Sequence, residues 1–343
     1  MNKDIGRLSD SQVTIPDLLQ KYSHQIEQLL EKEMPRDGAE FLSEGVWYQF
    51  STGGKRLRPA LCLLTCEQLG GDPDKALSFA LAAEILHNFL LIHDDIEDGD
   101  TLRRDQKTLW AHLGVPNAIN VGDYLISNAY RIILGSPLAP ETIVRLMEIY
   151  SLTFERTVEG PALDINWRGS ETFAVEDYFR IVQLKTAYYL TFNLVGGAIV
   201  AGIQKDVIDQ LWELGRHLGP AFQIRDDVID LTRGKGRGGE IGCDIREGKP
   251  SILFAHALDQ LASDPDARAT LLGIIRKSRE ETTDQDVETV LGLYRRTGAL
   301  DYAENASRRE IETAFEIIDR LPLEGRGKEL FRDISQFMVD RQT

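Results

Sequence analysis

The sequence has little of what marks several large protein classes. Its 343 residues include only three cysteines. Cys62, Cys66 and Cys243 form no C-x-x-C pair, so we expect buried free thiols, as is usual in a reducing compartment. No run of about eighteen uncharged apolar residues is present, which argues against a membrane span. Residues 1–13 lack the apolar core of a signal peptide, and we therefore expect a cytoplasmic protein.

Positive charge is scarce as well. Lys and Arg total 39 against 55 Asp and Glu, which leaves a formal net charge of −16. This balance argues against nucleic acid or an anionic membrane as a partner. It also means that an anionic substrate must be bound by a local cluster of cations or by metal ions, because the overall field repels it.

Alternation with a period of two residues, the pattern of a half-buried strand, is missing too. Apolar residues recur instead at helical spacing in a succession of segments, separated by Gly and Pro. The predicted helices cover residues 15–35, 41–50, 60–69, 74–92, 117–134, 140–159, 175–201, 206–229, 251–261, 264–277, 285–297, 302–321 and 330–341. The sequence therefore predicts an all-α fold.

The stretch 93–104, H-D-D-I-E-D-G-D-T-L-R-R, places carboxylates at the end of a predicted apolar helix. Asp94 and Asp98 are four residues apart and Asp95 and Asp98 are three apart, so these side chains crowd one helix face. Charges beside an apolar segment are costly unless something positive neutralises them. The pattern recurs at 226–230, D-D-V-I-D, where a second apolar helix ends in Asp226, Asp227 and Asp230.

Two such carboxylate triads favour Mg²⁺ over zinc. Mg²⁺ prefers carboxylates, water and phosphate oxygens in octahedral geometry. One copy alone is as typical of a solvated helix end as of a metal site. Two copies, each ending an apolar helix, predict a metal site between two acidic faces.

Basic residues complete this arrangement. The stretch 53–59, G-G-K-R-L-R-P, places three cations on a glycine-containing turn before a helix, which suits an anion. Arg103 and Arg104 follow the first acid triad, and Lys185 lies inside an apolar helix, where an unpaired lysine is expensive. Lys249 follows Glu247-Gly248. We interpret this set as a cavity for diphosphate, bound partly through Mg²⁺ and partly by Lys and Arg directly.

Two histidines lie on the first acid-bearing helix. We expect His87 to be a cationic or hydrogen-bonding partner of a second phosphate group. We expect His93 to be structural and to orient the neighbouring acids.

Together these motifs resemble the trans-prenyltransferase (polyprenyl synthetase) family of chain-elongating isoprenyl diphosphate synthases. The resemblance runs from about Gly45 to the C-terminus. It rests on G-G-K-R-L-R-P (53–59), E-x-x-H (84–87), H-D-D-x-x-D with R-R (93–104), K-T (185–186), F-Q-x-R-D-D-x-x-D-L (222–231) and E-G-K (247–249). It implies a single large helical bundle of the isoprenoid synthase type around a central cavity, and a homodimer. Residues 1–44 would be an N-terminal helical extension and 45–343 the catalytic domain.

The resemblance also implies roles for individual residues in the condensation of isopentenyl diphosphate with an allylic prenyl diphosphate. Three Mg²⁺ ions on the allylic diphosphate would be held by Asp94, Asp95, Asp98, Asp226, Asp227 and Asp230. The same diphosphate would be bound by Arg103, Lys185 and Lys249. Isopentenyl diphosphate would be bound by Lys55, Arg56, His87 and Arg104. The reacting carbons would be lined by Thr186 and Gln223.

Product length is expected from the residues before the first motif. Phe89 lies five positions before Asp94, where the resemblance places the floor of the product tunnel, and Leu90 adjoins it. No insertion enlarges the first motif. This combination is similar to short-chain synthases with a C20 product, and C15 is the next candidate.

The chain departs from the family pattern at three positions. Pro161 stands where the family usually has Gln, and Asp105 stands where Gly usually follows the two arginines. Gly239 stands where many members have Lys, for which Lys235 or Arg237 would substitute. None of these departures removes an expected metal ligand.

Three other functions are compatible with parts of the pattern. A class I terpene cyclase shares one aspartate motif but normally lacks the G-K-R turn and the second motif. A non-catalytic subunit of a heteromeric synthase typically loses aspartates that are all present here. A phosphohydrolase with a His-Asp metal cluster would leave 226–230 and the G-K-R turn unexplained.

Overall fold

The computed structural model describes residues 14–54, 56–232 and 241–339, and within these ranges the predicted all-α fold is confirmed. The first half contains α1 (Ile15–Glu33), α2 (Glu40–Ser51), α3 (Leu57–Gln68), α4 (Pro73–Glu97), α5 (Leu109–Leu113), α6 (Val115–Leu134) and α7 (Pro140–Trp167). A continuous helical segment follows, made of α8 (Val175–Val182), a π turn (Gln183–Ala187) and α9 (Tyr188–Val200). The remainder contains α10 (Lys205–Thr232), α11 (Cys243–Arg246), α12 (Ile252–Gln260), α13 (Pro265–Ile275), α14 (Asp284–Arg296), α15 (Ala299–Arg320) and α16 (Gly325–Val339).

Local sequence explains where several helices begin. The Thr14 hydroxyl accepts from the backbone N–H of Asp17, whose carboxylate accepts from the N–H of Thr14, so α1 begins with a capping box. Thr283 and Asp286 form the same arrangement at α14. Asp72 caps α4, and Pro73 occupies its first turn, where the missing N–H costs nothing.

Helix α9 is the centre of the bundle. Its residues from Tyr189 to Ile199 are all buried, as expected for a helix that is hydrophobic all round. It packs against α3, α4, α7 and α10. Helices α4 and α10 carry the two aspartate motifs at their C-terminal ends. Because both helices pack against the α8–α9 segment, this segment sets the relative position of the two motifs.

Helix α4 is long and apolar enough to cross a membrane by length and composition, but 67% of its apolar window is buried inside the protein. Its main packing partners are α6 and α3. It is therefore a core helix. The three cysteines, Cys62, Cys66 and Cys243, are buried and free, as predicted.

The structure differs from the sequence-based helix boundaries at several places. Helix α7 continues through Pro161 to Trp167 instead of ending near Glu159. The predicted helix 175–201 contains the π turn, and α5 and α11 were not foreseen. A two-stranded antiparallel hairpin, β1 (Leu102–Arg103) and β2 (Gln106–Lys107), follows the first aspartate motif. With two residues per strand it is too short to show any alternation in the sequence.

Candidate active site

The first aspartate motif closes α4. Asp94 and Asp95 lie in its last turn and Asp98 is its C-cap residue. A helix C-terminus carries partial negative charge, so acids there are unfavourable unless cations compensate them. Arg103, returning in β1, supplies one cation: its Nε donates to Asp95 at 2.6 Å and its Nη2 to Asp94 at 3.3 Å.

Cations distant in sequence hold the remaining carboxylate oxygens. One oxygen of Asp98 accepts from Lys249 Nζ at 2.7 Å, and the other accepts from Arg168 Nη2 at 2.6 Å. Lys185 Nζ lies 3.4 Å from Asp94 and 2.8 Å from Asp164 of α7. The first motif is therefore paired with cations from β1, the end of α7, the π turn and the segment after α11.

Burial and these cations act in opposite directions on the acids. Burial raises the pKa of the Asp98 carboxyl, but Lys249, Lys185 and Arg168 outweigh it and hold the pKa well below its usual range. Burial also raises the pKa of Asp94, but Lys185, Lys249 and Arg103 together outweigh it and lower the pKa. Burial raises the pKa of Asp95 to about 7 in spite of Arg103. Asp94 and Asp98 are therefore ionised at neutral pH.

The second aspartate motif closes α10. Asp227 accepts from the Tyr178 hydroxyl at 2.9 Å and from Gln223 Nε2 at 3.1 Å. Asp230 is fully buried and accepts from the backbone N–H of Asp244 at 3.1 Å. Asp226 is partly exposed.

The π turn connects the two motifs. Lys185 contacts Asp94 of the first motif. The next residue, Thr186, donates to Gln223 at 3.0 Å, and Gln223 in turn donates to Asp227 of the second motif. The two acidic helix ends that the sequence placed 132 positions apart (226 − 94) therefore face one site.

A second basic cluster lies on the turn before α3. The guanidinium of Arg104 donates to the Gly53 carbonyl. Arg58 lies 3.5 Å from His87 Nε2 and over the Tyr189 ring at 4.3 Å. Arg56, which is 7% exposed, donates to Glu84 at 2.7 Å. This cluster brings together the cations Arg56, Arg58 and Arg104 around His87, as an anion site requires.

The histidine of this cluster is neutral. Burial lowers the pKa of His87 well below its usual value, and the neighbouring Arg58 and Arg104 lower it further. Of the two forms foreseen for His87, the cluster favours the hydrogen-bonding one. Burial also lowers the pKa of Arg104, with Arg103 adding to the effect. A bound anion would relieve this crowding of positive charge.

The structure places the remaining predicted residues as follows. Phe89 is buried, with its ring 4.3 Å from that of His93 and 5.3 Å from that of Phe154 in α7. Leu90 is half-buried. His93 packs beside Gly122 of α6, and its Nε2 has no hydrogen-bond partner within the described ranges. Lys55, Lys235, Arg237 and Gly239 lie outside the described residues.

Several residues at the site were not assigned a role of their own from the sequence. They are Arg58, Asp164, Arg168, Tyr178 and Arg279. Arg279 bridges Asp100 and Glu247 at 2.8 and 3.1 Å. Only Arg58 carried a signal, because it belongs to the stretch 53–59. The others come from a loop, a helix interior or the segment after α13, where no local pattern distinguishes them from surface charges.

The donor set at the two motifs fits Mg²⁺. In the parts of the chain that the structure describes, no three His, Cys, Asp or Glu side chains converge as a preformed metal cage. Mg²⁺ does not require one, since it usually takes one or two carboxylates and keeps water and substrate phosphate oxygens. The facing motifs offer carboxylates only. The assignment of the six aspartates to Mg²⁺ stays a prediction.

Comparisons with known proteins agree in sequence and in fold. The polyprenyl synthetase family model matches residues 39–293. A geranylgeranyl pyrophosphate synthase from Geoglobus acetivorans is 32% identical over 331 residues, which cover 95% of this chain and 98% of the relative. A short chain isoprenyl diphosphate synthase from Methanothermobacter thermautotrophicus is 31% identical over 329 residues, covering 96% and 99%. The crystal structure of geranylgeranyl pyrophosphate synthetase from Pyrococcus horikoshii matches with a TM-score of 0.85 at 30% identity, covering 95% and 98%.

Proposed function

Because the chain belongs to the polyprenyl synthetase family, we propose that it extends an allylic prenyl diphosphate with isopentenyl diphosphate and releases geranylgeranyl diphosphate (C20). The protein is an enzyme, a chain-elongating prenyltransferase of the short-chain class. Farnesyl diphosphate (C15) is the second candidate product. One observation carries the proposal: the chain of contacts from Asp94 through Lys185, Thr186 and Gln223 to Asp227.

In the proposed complex the allylic diphosphate lies between the two aspartate motifs. Lys185, Lys249 and Arg103 then exchange their aspartate partners for phosphate oxygens. Asp94 and Asp98 are ionised and become available as they lose these cations. Enzymes of this family depend on Mg²⁺ in general. We propose that the six motif aspartates hold three ions, which supply Lewis-acid stabilisation of the charge that develops on the leaving diphosphate.

The reaction itself makes one carbon–carbon bond. The C1–O bond of the allylic substrate breaks, and its electron pair leaves with the diphosphate. The double bond of isopentenyl diphosphate attacks C1, and the resulting cation loses a proton, for which the released diphosphate is the base. Thr186 and Gln223 line the reacting carbons in this proposal. Water must be excluded because it would quench the cation.

We assign isopentenyl diphosphate to the basic cluster formed by Arg56, Arg58, His87 and Arg104. Lys55, Arg56, His87 and Arg104 were expected there, and the contacts of Arg58 with His87 and Tyr189 add Arg58 to the set. Arg56 is already paired with Glu84. We therefore propose that Arg56 mainly shapes this cluster, while Arg58 and Arg104 contact the phosphates.

We propose that two copies of the chain form a homodimer through α6 and α7. Exposed apolar side chains occur on α6 at Val115 and Ile119, and on α7 at Val144, Leu152, Val158 and Ile165. Val144, Val158 and Ile165 are separated by multiples of seven residues, so they form one stripe along the helix. An exposed apolar stripe of this kind fits a second copy of the same helix.

We further propose that residues 45–343 are the catalytic domain, that residues 1–44 are an N-terminal extension, and that the protein is cytoplasmic. The family match begins at residue 39. Helix α1 packs against α3 and α4, with Tyr22, Ile26 and Leu30 buried in the same core. The extension therefore shares the core of the bundle.

The decisive experiment is product analysis with labelled isopentenyl diphosphate, Mg²⁺ and dimethylallyl, geranyl or farnesyl diphosphate as primer. We expect the label in a linear product, mainly C20. A cyclised product without label would identify a terpene cyclase, for which the comparisons give no evidence. Absence of any product from all three primers would indicate a non-catalytic subunit.

A further inference from the structure

The residues Lys185 and Thr186 are presented by a π turn, not by regular α-helix. A π turn adds one residue to the helical repeat and is seldom stable by itself, so its surroundings must hold it. At this site the turn decides the position of both side chains that connect the two aspartate motifs. The contacts that stabilise the π turn therefore affect the geometry of the reacting centre.

The two neighbouring helices each place a Gly-Pro pair against the turn. A Cβ added to Gly160 of α7 would lie 2.5 Å from the backbone nitrogen of Lys185. A Cβ added to Gly219 of α10 would lie 2.6 Å from Cα of Ala187. Both backbones thus approach the turn as closely as glycine allows. Pro161 and Pro220 follow these glycines inside their helices.

Proline inside a helix removes the N–H that would bond the carbonyl four residues earlier. For Pro220 that carbonyl belongs to Arg216. It accepts instead from the side chain of Gln183, whose Nε2 lies 2.6 Å away. Gln183 is the first residue of the π turn. The hydrogen bond from Gln183 to the Arg216 carbonyl therefore links the first residue of the π turn to α10, the helix that carries the second aspartate motif.

We propose that Gln183, bonded to the carbonyl that Pro220 frees, is a positioning residue for Lys185 and Thr186. It acts through the backbone of the π turn, two and three residues before the side chains that it positions. The Lys185 ammonium lies between Asp94 and Asp164, and the Thr186 hydroxyl donates to Gln223. Both groups are aligned with the aspartate motifs only while the bond from Gln183 to the Arg216 carbonyl is present. The inference rests on the proposed prenyl transfer, because Lys185 and Thr186 are assigned to that reaction.

The test compares Gln183→Ala, Pro220→Ala and the double variant. Gln183→Ala removes the donor, and we expect kcat to fall about tenfold. We expect KM for isopentenyl diphosphate to stay within about twofold, because its basic cluster is on other elements. Pro220→Ala restores an N–H that competes for the Arg216 carbonyl, so kcat should fall in the same direction.

The double variant separates positioning from stability. In it the Arg216 carbonyl regains a helical partner, so the melting temperature lost in Gln183→Ala should recover while kcat stays low. The two substitutions should be non-additive, since both break one bond. Arg216→Ala, which keeps the carbonyl and removes only the side chain, is the control and should retain wild-type kcat. Wild-type kcat in Gln183→Ala, or recovery of kcat together with stability in the double variant, would overturn the proposal.

Hydrogen exchange provides a readout that does not depend on the reaction. The amides of 185–190 should exchange faster in Gln183→Ala than in the wild type or in Arg216→Ala. If the wild type fails to incorporate labelled isopentenyl diphosphate, the proposed function fails, and the exchange rates still decide whether Gln183 holds the turn. Unchanged exchange in Gln183→Ala would reject its positioning role.

Discussion

The three aspartates at the end of α4 are stable because each is paired with at least one cation. Asp98 illustrates this best, since Lys249 and Arg168 occupy both of its oxygens from elements far away in sequence. Asp94 is more exposed, with 27% of its side chain accessible, and is paired at longer distances. The two aspartates should therefore differ in what their loss does to the fold, though not in what it does to catalysis.

We predict that Asp94→Ala and Asp98→Ala both lower turnover by about 10³-fold or more, because each removes charge that acts on the diphosphate. Only Asp98→Ala should destabilise the protein strongly, by roughly 3 kcal/mol. It leaves the partly buried Arg168 without its hydrogen-bonded carboxylate, and it leaves Lys249 with Glu247 and Asp244 alone. Steady-state kinetics and urea unfolding measure the two effects. A fully active Asp94→Ala would contradict the assignment of the first motif to Mg²⁺.

Substitution of Phe89 is expected to change the chain length of the product. It lies on α4 and is buried against His93 of the same helix and Phe154 of α7. Phe89→Ala should remove the floor of the tunnel and lengthen the product by one or more isoprene units. Phe41→Ala, at an exposed phenylalanine of α2, is the matched control and should leave the product unchanged. Mass spectrometry of the products decides, and an unaltered chain length in Phe89→Ala would remove the floor assignment.

Among the secondary-structure elements, the β1–β2 hairpin after the first motif is the least predictable from the local sequence. Its turn residues Arg104 and Asp105 have φ of 53° and 61°, the left-handed conformation that a two-residue type I′ turn requires. Asp tolerates this conformation better than most residues. This explains how Asp105 takes the position where the family usually has Gly without displacing Arg104 from its contact with the Gly53 carbonyl.

We predict that Asp105→Gly retains activity within about twofold, because Gly adopts positive φ without strain. Asp105→Val should cost about 1–3 kcal/mol, since a β-branched residue is strained there, and should raise KM for isopentenyl diphosphate by displacing Arg104. Initial rates at varied isopentenyl diphosphate check both. Equal KM values in the two variants would show that the turn does not position Arg104.

At the scale of the whole molecule, the exposed apolar stripe on α7 is a surface that the bundle itself does not cover. If Val144, Val158 and Ile165 pack against a second copy, a charge in the stripe must weaken the dimer. We predict that Val158→Glu halves the molar mass measured by light scattering at micromolar concentration. Phe41→Glu, which changes an exposed apolar residue on α2, should keep the mass of the wild type. A monomeric wild type, or a Val158→Glu protein that remains dimeric, would contradict this assignment.

The sequence by itself determined most of the helices and the placement of the aspartates at two helix ends. Period and capping residues define helices such as α1 and α14, because those signals lie within a few residues of one another. The same holds for the aspartates: their spacing alone places each set on one helix end. The resemblance then identified the family, which the comparisons confirmed.

The tertiary structure alone decided how the motifs are joined and neutralised. Arg168 reaches Asp98 across 70 positions and Lys249 reaches it across 151, distances over which sequence carries no pairing signal. At the π turn, the backbones of Gly160 and Gly219 approach closely and Gln183 donates to the Arg216 carbonyl. Helix propensity predicts a regular helix there. Packing against two other helices overrides it, because backbone geometry at a contact depends on both partners.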